Sequence, residues 1–275
     1  MNGKLIAACI QANAGPDIAE NLSAVEPLIL EAGKSGARLI ALPENVSMMV
    51  KGRDKIAAQA KNEGDHPAIP FFAAMAQKTG AWIVGGSLAI AAGDGKFFNR
   101  CYLFNPEGNI AARYDKIHMF DADVGTDEKY RESETFRRGE RAVVADADFG
   151  KLGLTICYDL RFPHLYRALA KAGAAIITAP AAFTATTGAL HWHVLLRARA
   201  IETGAYILAP AQCGTHDGGR RTYGHSLIID PLGTIVAEAG VEPGTITAEL
   251  DLSKVDEARR MLPSLKHDCE FERPC

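Results

Sequence analysis

Residues 152–180 read LGLTICYDLRFPHLYRALAKAGAAIITAP, and the order of patterns in them decides the fold class. Residues 152–157 form a short apolar run of the length a buried strand needs. Residues 161–171 carry apolar side chains at helical spacing, and residues 174–179 are a second short apolar run. Strand, helix and strand in succession argue for a layered α/β protein.

The alternation continues in both directions. Upstream, residues 5–11 read as a buried strand. Residues 17–34 read as a helix, with Ile18, Leu22, Val25, Ile29 and Leu30 on one face and Gly36 as its stop. Residues 38–42 form a strand that ends at Pro43-Glu44. Residues 67–79 read as a helix with Pro at its start and Gly80 at its end. Strands at 82–89 and 97–104 flank a Gly93-Asp94-Gly95 turn, and 110–113 is another short strand. Downstream come strands at 142–145 and 206–210, a helix at 191–203, and a hairpin of 222–229 with 234–237 around Asp230-Pro231-Leu232-Gly233. A strand at 246–250 and a helix at 253–260 follow. Hairpins mixed among helices predict mixed sheets rather than a repeating barrel. No repeat, linker or low-complexity stretch interrupts the chain, so residues 1–275 read as a single domain. Residues 115–140 lack a period and are rich in charge, which marks a functional or mobile connection.

Composition narrows the class. In 275 residues, 48% are apolar and 23% charged, which excludes disorder, collagen and coiled coil. Thirty basic and 33 acidic residues give a net charge of −3 with no basic run, so neither nucleic acid nor an anionic membrane is an expected partner. No apolar stretch approaches the roughly 20 residues of a bilayer span. The cysteines at 9, 101, 157, 213, 269 and 275 form no Cys-x-x-Cys pair, and they read as reduced thiols of a cytoplasmic protein. Lys4, the run 5–10 and Ala12-Asn13-Ala14 imitate a signal peptide. The run is shorter than the roughly 7–15 residues required, so it reads as the first strand.

Three polar residues sit where apolar strands end: Glu44, Lys116 and Cys157. Ligand sites in α/β sheets gather beyond the carboxyl ends of strands. A thiol can attack, a carboxylate can shuttle its proton, and an ammonium can stabilise an oxyanion. Taken singly, each has a plainer reading: a buried Cys as a small hydrophobe, a Glu or Lys as a solvated loop residue. Sequence separation alone does not bring the three together.

The words around them do more. Ala41-Leu42-Pro43-Glu44-Asn45, the run from Arg113 through Lys116 to Asp121, and Thr155-Ile156-Cys157-Tyr158-Asp159-Leu160-Arg161-Phe162-Pro163 resemble the three signature segments of the nitrilase superfamily of carbon–nitrogen hydrolases, in the family's order. The resemblance runs from the first strand to about Arg260. It implies a Glu44–Lys116–Cys157 triad and a four-layer α-β-β-α sandwich of two mixed sheets, usually dimerised. It also implies no metal and no organic cofactor. The family's second glutamate matches Glu132, with Glu128 and Glu134 as neighbours in register. In that reading Cys157 forms a thioester, Glu44 carries protons, and Lys116 with the Tyr158 N–H binds the oxyanion. Glu132 orients Lys116 and, as a second carboxylate near Glu44, raises the pKa of the group.

Residues 183–202 and 211–226 resemble the Nit branch, and within it enzymes of deaminated glutathione more than ω-amidases. Both kinds of substrate are 2-oxo acid amides. Arg161, four residues past the nucleophile, is the candidate for the substrate carboxylate, with a capping or surface Arg as the alternative. Phe183 lines the acyl site or is plain core. His191 and His193 diverge by roughly 200° on a helix, so they do not form one metal site. Gly224-His225-Ser226-Leu227-Ile228 lacks the final Gly of a serine elbow. Arg197, Arg199 and Glu202 read as a charge network on a helix face. Arg220 and Arg221 could meet a leaving-group carboxylate, although a solvated loop is the commoner outcome. Three functions stand in order: a cysteine amidase on a 2-oxo amide, deaminated glutathione before 2-oxoglutaramate; a nitrilase or N-carbamoyl amino acid hydrolase; and a non-catalytic binding protein on the same fold.

Overall fold

The computed structural model describes residues 3–124 and 128–272. Among the described residues, two six-stranded sheets form the body of the fold, with two smaller two-stranded pairs beside them. The first runs in the order Gly244–Asp251, Lys4–Gln11, Ala37–Ala41, Trp82–Ala91, Phe97–Phe104, Ile110–Asp115. Its joints are antiparallel, parallel, parallel, antiparallel and antiparallel. The second runs Val143–Ala147, Gly150–Leu154, Ile176–Thr178, Tyr206–Ala209, Leu227–Ile229, Ile235–Glu238. Its joints repeat the same succession of directions.

Period-two alternation tells each strand which way to face. Ala8, Ile10, Ile40, Leu42 and Ile83 pack against Leu22, Val25 and Ile29 of helix Ile18–Lys34 and Phe72 of helix Ala68–Thr79. Their neighbours Ala7, Cys9, Leu39, Ala41 and Val84 face the other way, into a core shared with Leu152, Leu154 and Ile176 of the second sheet. Leu165, Tyr166 and Leu169 of helix Pro163–Lys171, with Trp192 and Leu196 of helix Ala185–Thr203, complete that core. The layers are therefore helix, sheet, sheet, helix. Strands buried on both faces read as unbroken apolar runs, which is why they are visible in the sequence.

Three local expectations are corrected. The helix expected from residue 191 begins at Ala185, where Thr184 caps it by accepting from the Thr187 N–H at 3.2 Å. Its first turn is polar and small because Gly188 packs on Tyr223, where a Cβ would lie 2.4 Å from the side chain. The run 222–229 is two strands: Arg221–Tyr223 pairs with Cys213–Thr215, and Leu227–Ile229 joins the second sheet. The break is a left-handed bend at Gly224 and His225. The 115–140 connection holds an antiparallel pair, Asp121–Asp123 with Lys129–Arg131, and a helical turn, Glu132–Thr135. Residues 125–127 of that connection lie outside the described residues.

No described helix is long and apolar enough to cross a membrane. Cys9, Cys101, Cys157 and Cys213 are buried free thiols and Cys269 is an exposed one; Cys275 lies outside the described residues.

Candidate active site

Each candidate residue leaves the carboxyl end of a strand. Ala37–Ala41 continues through Leu42-Pro43 to Glu44. The next residue, Asn45, turns left-handed (φ 56°) and donates its N–H to Ser87 Oγ at 3.0 Å. Gly86 makes room for this corner, since a Cβ there would lie 2.0 Å from the Pro43 carbonyl oxygen. Ile110–Asp115 delivers Lys116, whose N–H donates to the Asn99 carbonyl (3.0 Å) and whose carbonyl accepts from Gly139 (2.7 Å). Gly150–Leu154 leads through Thr155-Ile156 to Cys157. Cys157 has φ 46°, a strained value for a residue with a Cβ, and donates its N–H to the Pro180 carbonyl at 2.9 Å.

These ends meet. Lys116 Nζ donates to Glu44 Oε1 at 2.8 Å and to the Glu132 oxygens at 3.0 and 2.9 Å. Glu44 and Lys116 are each 2% exposed and Cys157 is 7% exposed. Glu44, Lys116 and Cys157 line one cavity, with the thiol beside the Glu44 carboxylate. Glu44 Oε2 accepts from the Ala182 N–H at 2.9 Å, and Glu132 Oε2 from the Phe120 N–H at 2.6 Å. Among the three neighbouring glutamates, Glu132 is the one that holds Lys116.

Electrostatics assigns the protons. Burial pushes the Glu44 carboxyl up, but the Lys116 ammonium outweighs it and holds the group below the ordinary carboxylate range. The expected rise from Glu132 is thus overturned: Lys116 sits between the two carboxylates and pairs with both. Burial opposes the charge of Lys116, yet Glu132 and Glu44 together raise its pKa above the usual ammonium value. Burial, followed by the adjacent Glu44 charge, drives the Cys157 thiol well above its usual pKa. The resting arrangement is a neutral thiol beside an ionised base, so the proton leaves as sulfur attacks rather than before.

Two positioning residues escaped the motif reading. Asn99 Nδ2 donates to Glu44 Oε1 at 2.9 Å and to Glu132 Oε1 at 3.2 Å, tying the carboxylates together. The fully buried Asp159 carboxylate accepts from Tyr114 Oη (2.6 Å), the His118 N–H (3.1 Å) and the Ile156 N–H (2.9 Å). It thereby locks the Cys157 turn onto the Lys116 segment. The signals were available: Asn99 is the polar residue on a strand face otherwise made of Phe97, Cys101 and Leu103, and Asp159 lies two residues past the thiol.

The other candidates surround the thiol. Tyr158 is the second residue of the 3-10 turn Cys157–Arg161, whose leading N–H groups have no acceptor within the turn. Arg161, Phe183, Thr184 and Thr187 line a small pocket over Cys157. The Arg161 guanidinium lies 5.1 Å from the Phe183 ring centroid and 3.3 Å from His191 Nδ1. Phe183 packs on Trp192 at 5.0 Å between centroids. The cavity that Glu44, Lys116 and Cys157 line together is larger, about 610 Å³, and is walled by residues from 48–53, 128–136 and 216–220. The histidines part as the helix geometry requires: His191 faces Arg161, whereas His193 and His225 both meet Glu238 Oε1, at 3.0 and 3.1 Å. Arg199 pairs with Glu202 at 2.9 Å, and Arg197 donates to the Gly233 carbonyl.

Comparison with known proteins agrees with this geometry. The family model for carbon-nitrogen hydrolases matches residues 6–260. A deaminated glutathione amidase of Synechocystis sp. is 42% identical over 270 residues, covering 95% of this chain and 97% of that protein. The crystal structure of the C. elegans NitFhit protein superposes with a TM-score of 0.90 at 33% identity, over 97% of this chain; the chain spans 65% of that protein's length. Saccharomyces cerevisiae Nit3, a member of branch 10 of the nitrilase superfamily, superposes with a TM-score of 0.85 at 31% identity, over 96% of each chain. The chain belongs to the carbon–nitrogen hydrolase family.

Proposed function

We propose that the protein is a cysteine amidase of 2-oxo acid amides, with deaminated glutathione as its substrate. The observation that carries this reading is a thiol on an ionised base, beside an ammonium, between a small arginine-lined pocket and a large cavity. The small pocket suits a short acyl group ending in a carboxylate, with Arg161 as its partner and Phe183 as a wall. The large cavity suits a leaving amine of dipeptide size, for which ammonia release has no use.

The steps follow from the residues. Cys157 Sγ attacks the amide carbonyl while Glu44 takes the thiol proton. Lys116 Nζ and the Tyr158 N–H stabilise the oxyanion. Glu44 returns the proton to the nitrogen as the C–N bond breaks, leaving a thioester on Cys157. Water then attacks the thioester, Glu44 accepts its proton, and the carboxylic acid leaves as the thiol is reprotonated. Glu132 keeps Lys116 aimed throughout. No step calls on a metal or organic cofactor.

The chain is one hydrolase domain over 1–275, working in the cytoplasm, where the free buried thiols are at home. Its partner is a second copy: Leu190, Val194 and Ile201 expose an apolar stripe on helix Ala185–Thr203, with Leu232 exposed beside it. A hydrolysis panel tests the substrate. Deaminated glutathione is expected to exceed 2-oxoglutaramate in kcat/KM. Turnover of nitriles or N-carbamoyl amino acids with both oxo amides untouched would reject the reading.

A further inference from the structure

The wall of the large cavity carries a cation, Arg220, with no ion-pair partner among the described residues. Its guanidinium lies 5.2 Å from the Tyr130 ring centroid. Its Nη2 donates to the Ala182 carbonyl at 2.7 Å, and among the described residues the other two side-chain nitrogens show no acceptor. Nε is buried and has no hydrogen-bond partner among the described residues. Among the described residues no carboxylate pairs with Arg220. The nearby Asp217 is held instead by Lys55 at 2.8 Å and by the Lys51 N–H. A guanidinium left short of acceptors in a partly buried wall is costly unless something else supplies an anion.

The loop that bears it is held in place. His216 Nδ1 lies 2.9 Å from the Ala14 carbonyl and Nε2 lies 2.7 Å from Thr222 Oγ1. The His216 N–H donates to the Arg220 carbonyl at 2.8 Å. The solvated loop anticipated for Arg220 and Arg221 is corrected for both: Arg221 is exposed but opens the strand Arg221–Tyr223, and Arg220 is half-buried. Through the Ala182 residue Arg220 also touches the nucleophilic centre, since the Ala182 N–H donates to Glu44. Arg161 lines the small pocket, which shares Phe120 and Cys157 with the large cavity.

We propose that Arg220 is the docking group for a carboxylate carried by the leaving amine. The cavity is then a subsite for peptide-like amines with a free C-terminal carboxylate, and Arg161 and Arg220 hold the two anionic ends of one substrate. The proposal rests on the amidase reading above and specifies which leaving groups that site accepts. A guanidinium suits the task because it pairs with a carboxylate through parallel N–H donors and keeps its charge at any working pH.

The test compares Arg220→Leu and Arg220→Lys with the unaltered enzyme on two amides that share the 2-oxoglutaryl group, deaminated glutathione and 2-oxoglutaramate. The ratio of their kcat/KM values is expected to fall about 10- to 100-fold in Arg220→Leu, mainly through KM, and to recover in part in Arg220→Lys. An unchanged ratio overturns the proposal, whether or not both rates fall, because a merely structural role would slow both amides together. Calorimetry on Cys157→Ala separates the proposal from the amidase reading. Deaminated glutathione should bind this variant about 10- to 100-fold more tightly than its C-terminal amide, and the preference should vanish in Cys157→Ala/Arg220→Leu. Preference without turnover by the unaltered enzyme would sink the amidase reading and keep the subsite. Turnover without preference would do the reverse.

Discussion

The two sheets repeat one plan and divide the chemistry unequally. Aligning the parallel joints makes Ala41 equivalent to Thr178 and Cys9 to Leu154. Counting on three residues in each, Glu44 stands where the second half has Ala181, and Cys157 where the first half has Ala12. Even the prolines coincide, Pro43 with Pro180. The first half supplies the charged groups Glu44 and Lys116, the amide of Asn99 that ties the carboxylates and, in the connection that follows it, Glu132. The second supplies the thiol, the Ala182 N–H and the pocket around Arg161. The fold therefore offers the same corner twice, and side chains turn one of each pair into a working position. Strand direction sets where a site can be, and sequence decides whether it is one.

The largest expected effect comes from the position that breaks this symmetry. Cys157→Ala should lower kcat by more than about 10⁴-fold and abolish the thioester mass adduct. Adding Ala12→Cys to that variant should restore nothing, because no ionised base stands beside residue 12. Recovered turnover would show the halves to be interchangeable. Glu44→Gln should cost about 10²- to 10⁴-fold in kcat/KM and slow iodoacetamide alkylation of Cys157 in parallel. Alkylation at full speed in that variant would mean that something else takes the proton.

Acidity sharpens the same point. Lys116 holds the folded Glu44 below its ordinary value of 4.5, so its share of stability is present above that value and is lost as pH falls through the lower, folded one. As base it must be ionised, so the acid limb of kcat/KM should begin below pH 4.5. A limb centred at about pH 6 would mean that the second carboxylate, not Lys116, dominates.

Smaller effects probe how the halves are joined. Asp159→Asn should destabilise by about 3 kcal/mol in chemical denaturation, since Tyr114, His118 and Ile156 lose a buried anionic acceptor. Its kcat should fall too, because the Cys157 turn loses its anchor to the Lys116 segment. Thr184→Ala removes a helix cap and should cost about 1 kcal/mol in the same measurement. A loss as large as that of Asp159→Asn would make Thr184 a junction rather than a cap.

Much of this was readable in advance, for identifiable reasons. Fully buried strands such as Ile176–Thr178 and Tyr206–Ala209 announce themselves as apolar runs, and Glu44, Lys116 and Cys157 sit in three distinctive words. The repeat did not show, because it lives in strand directions and registers rather than in matching residues: Leu42-Pro43-Glu44 and Ala179-Pro180-Ala181 share only the proline. The start of helix Ala185–Thr203 was hidden because its first turn packs through Gly188 and leaves no apolar period. Arg220 looked like loop because its burial depends on Tyr130, 90 residues away in sequence.

Gly86 donates no atom to the reaction, yet the Pro43 carbonyl occupies the place where its side chain would be. The register of strand Trp82–Ala91 against Phe97–Phe104 shifts between Val84 and Ser87, around this residue. In a saturation library, position 86 should therefore tolerate as few substitutions as the nucleophile itself, though for reasons of space instead of chemistry. Engineers who wish to retune the base would have to leave untouched a residue that never meets the substrate.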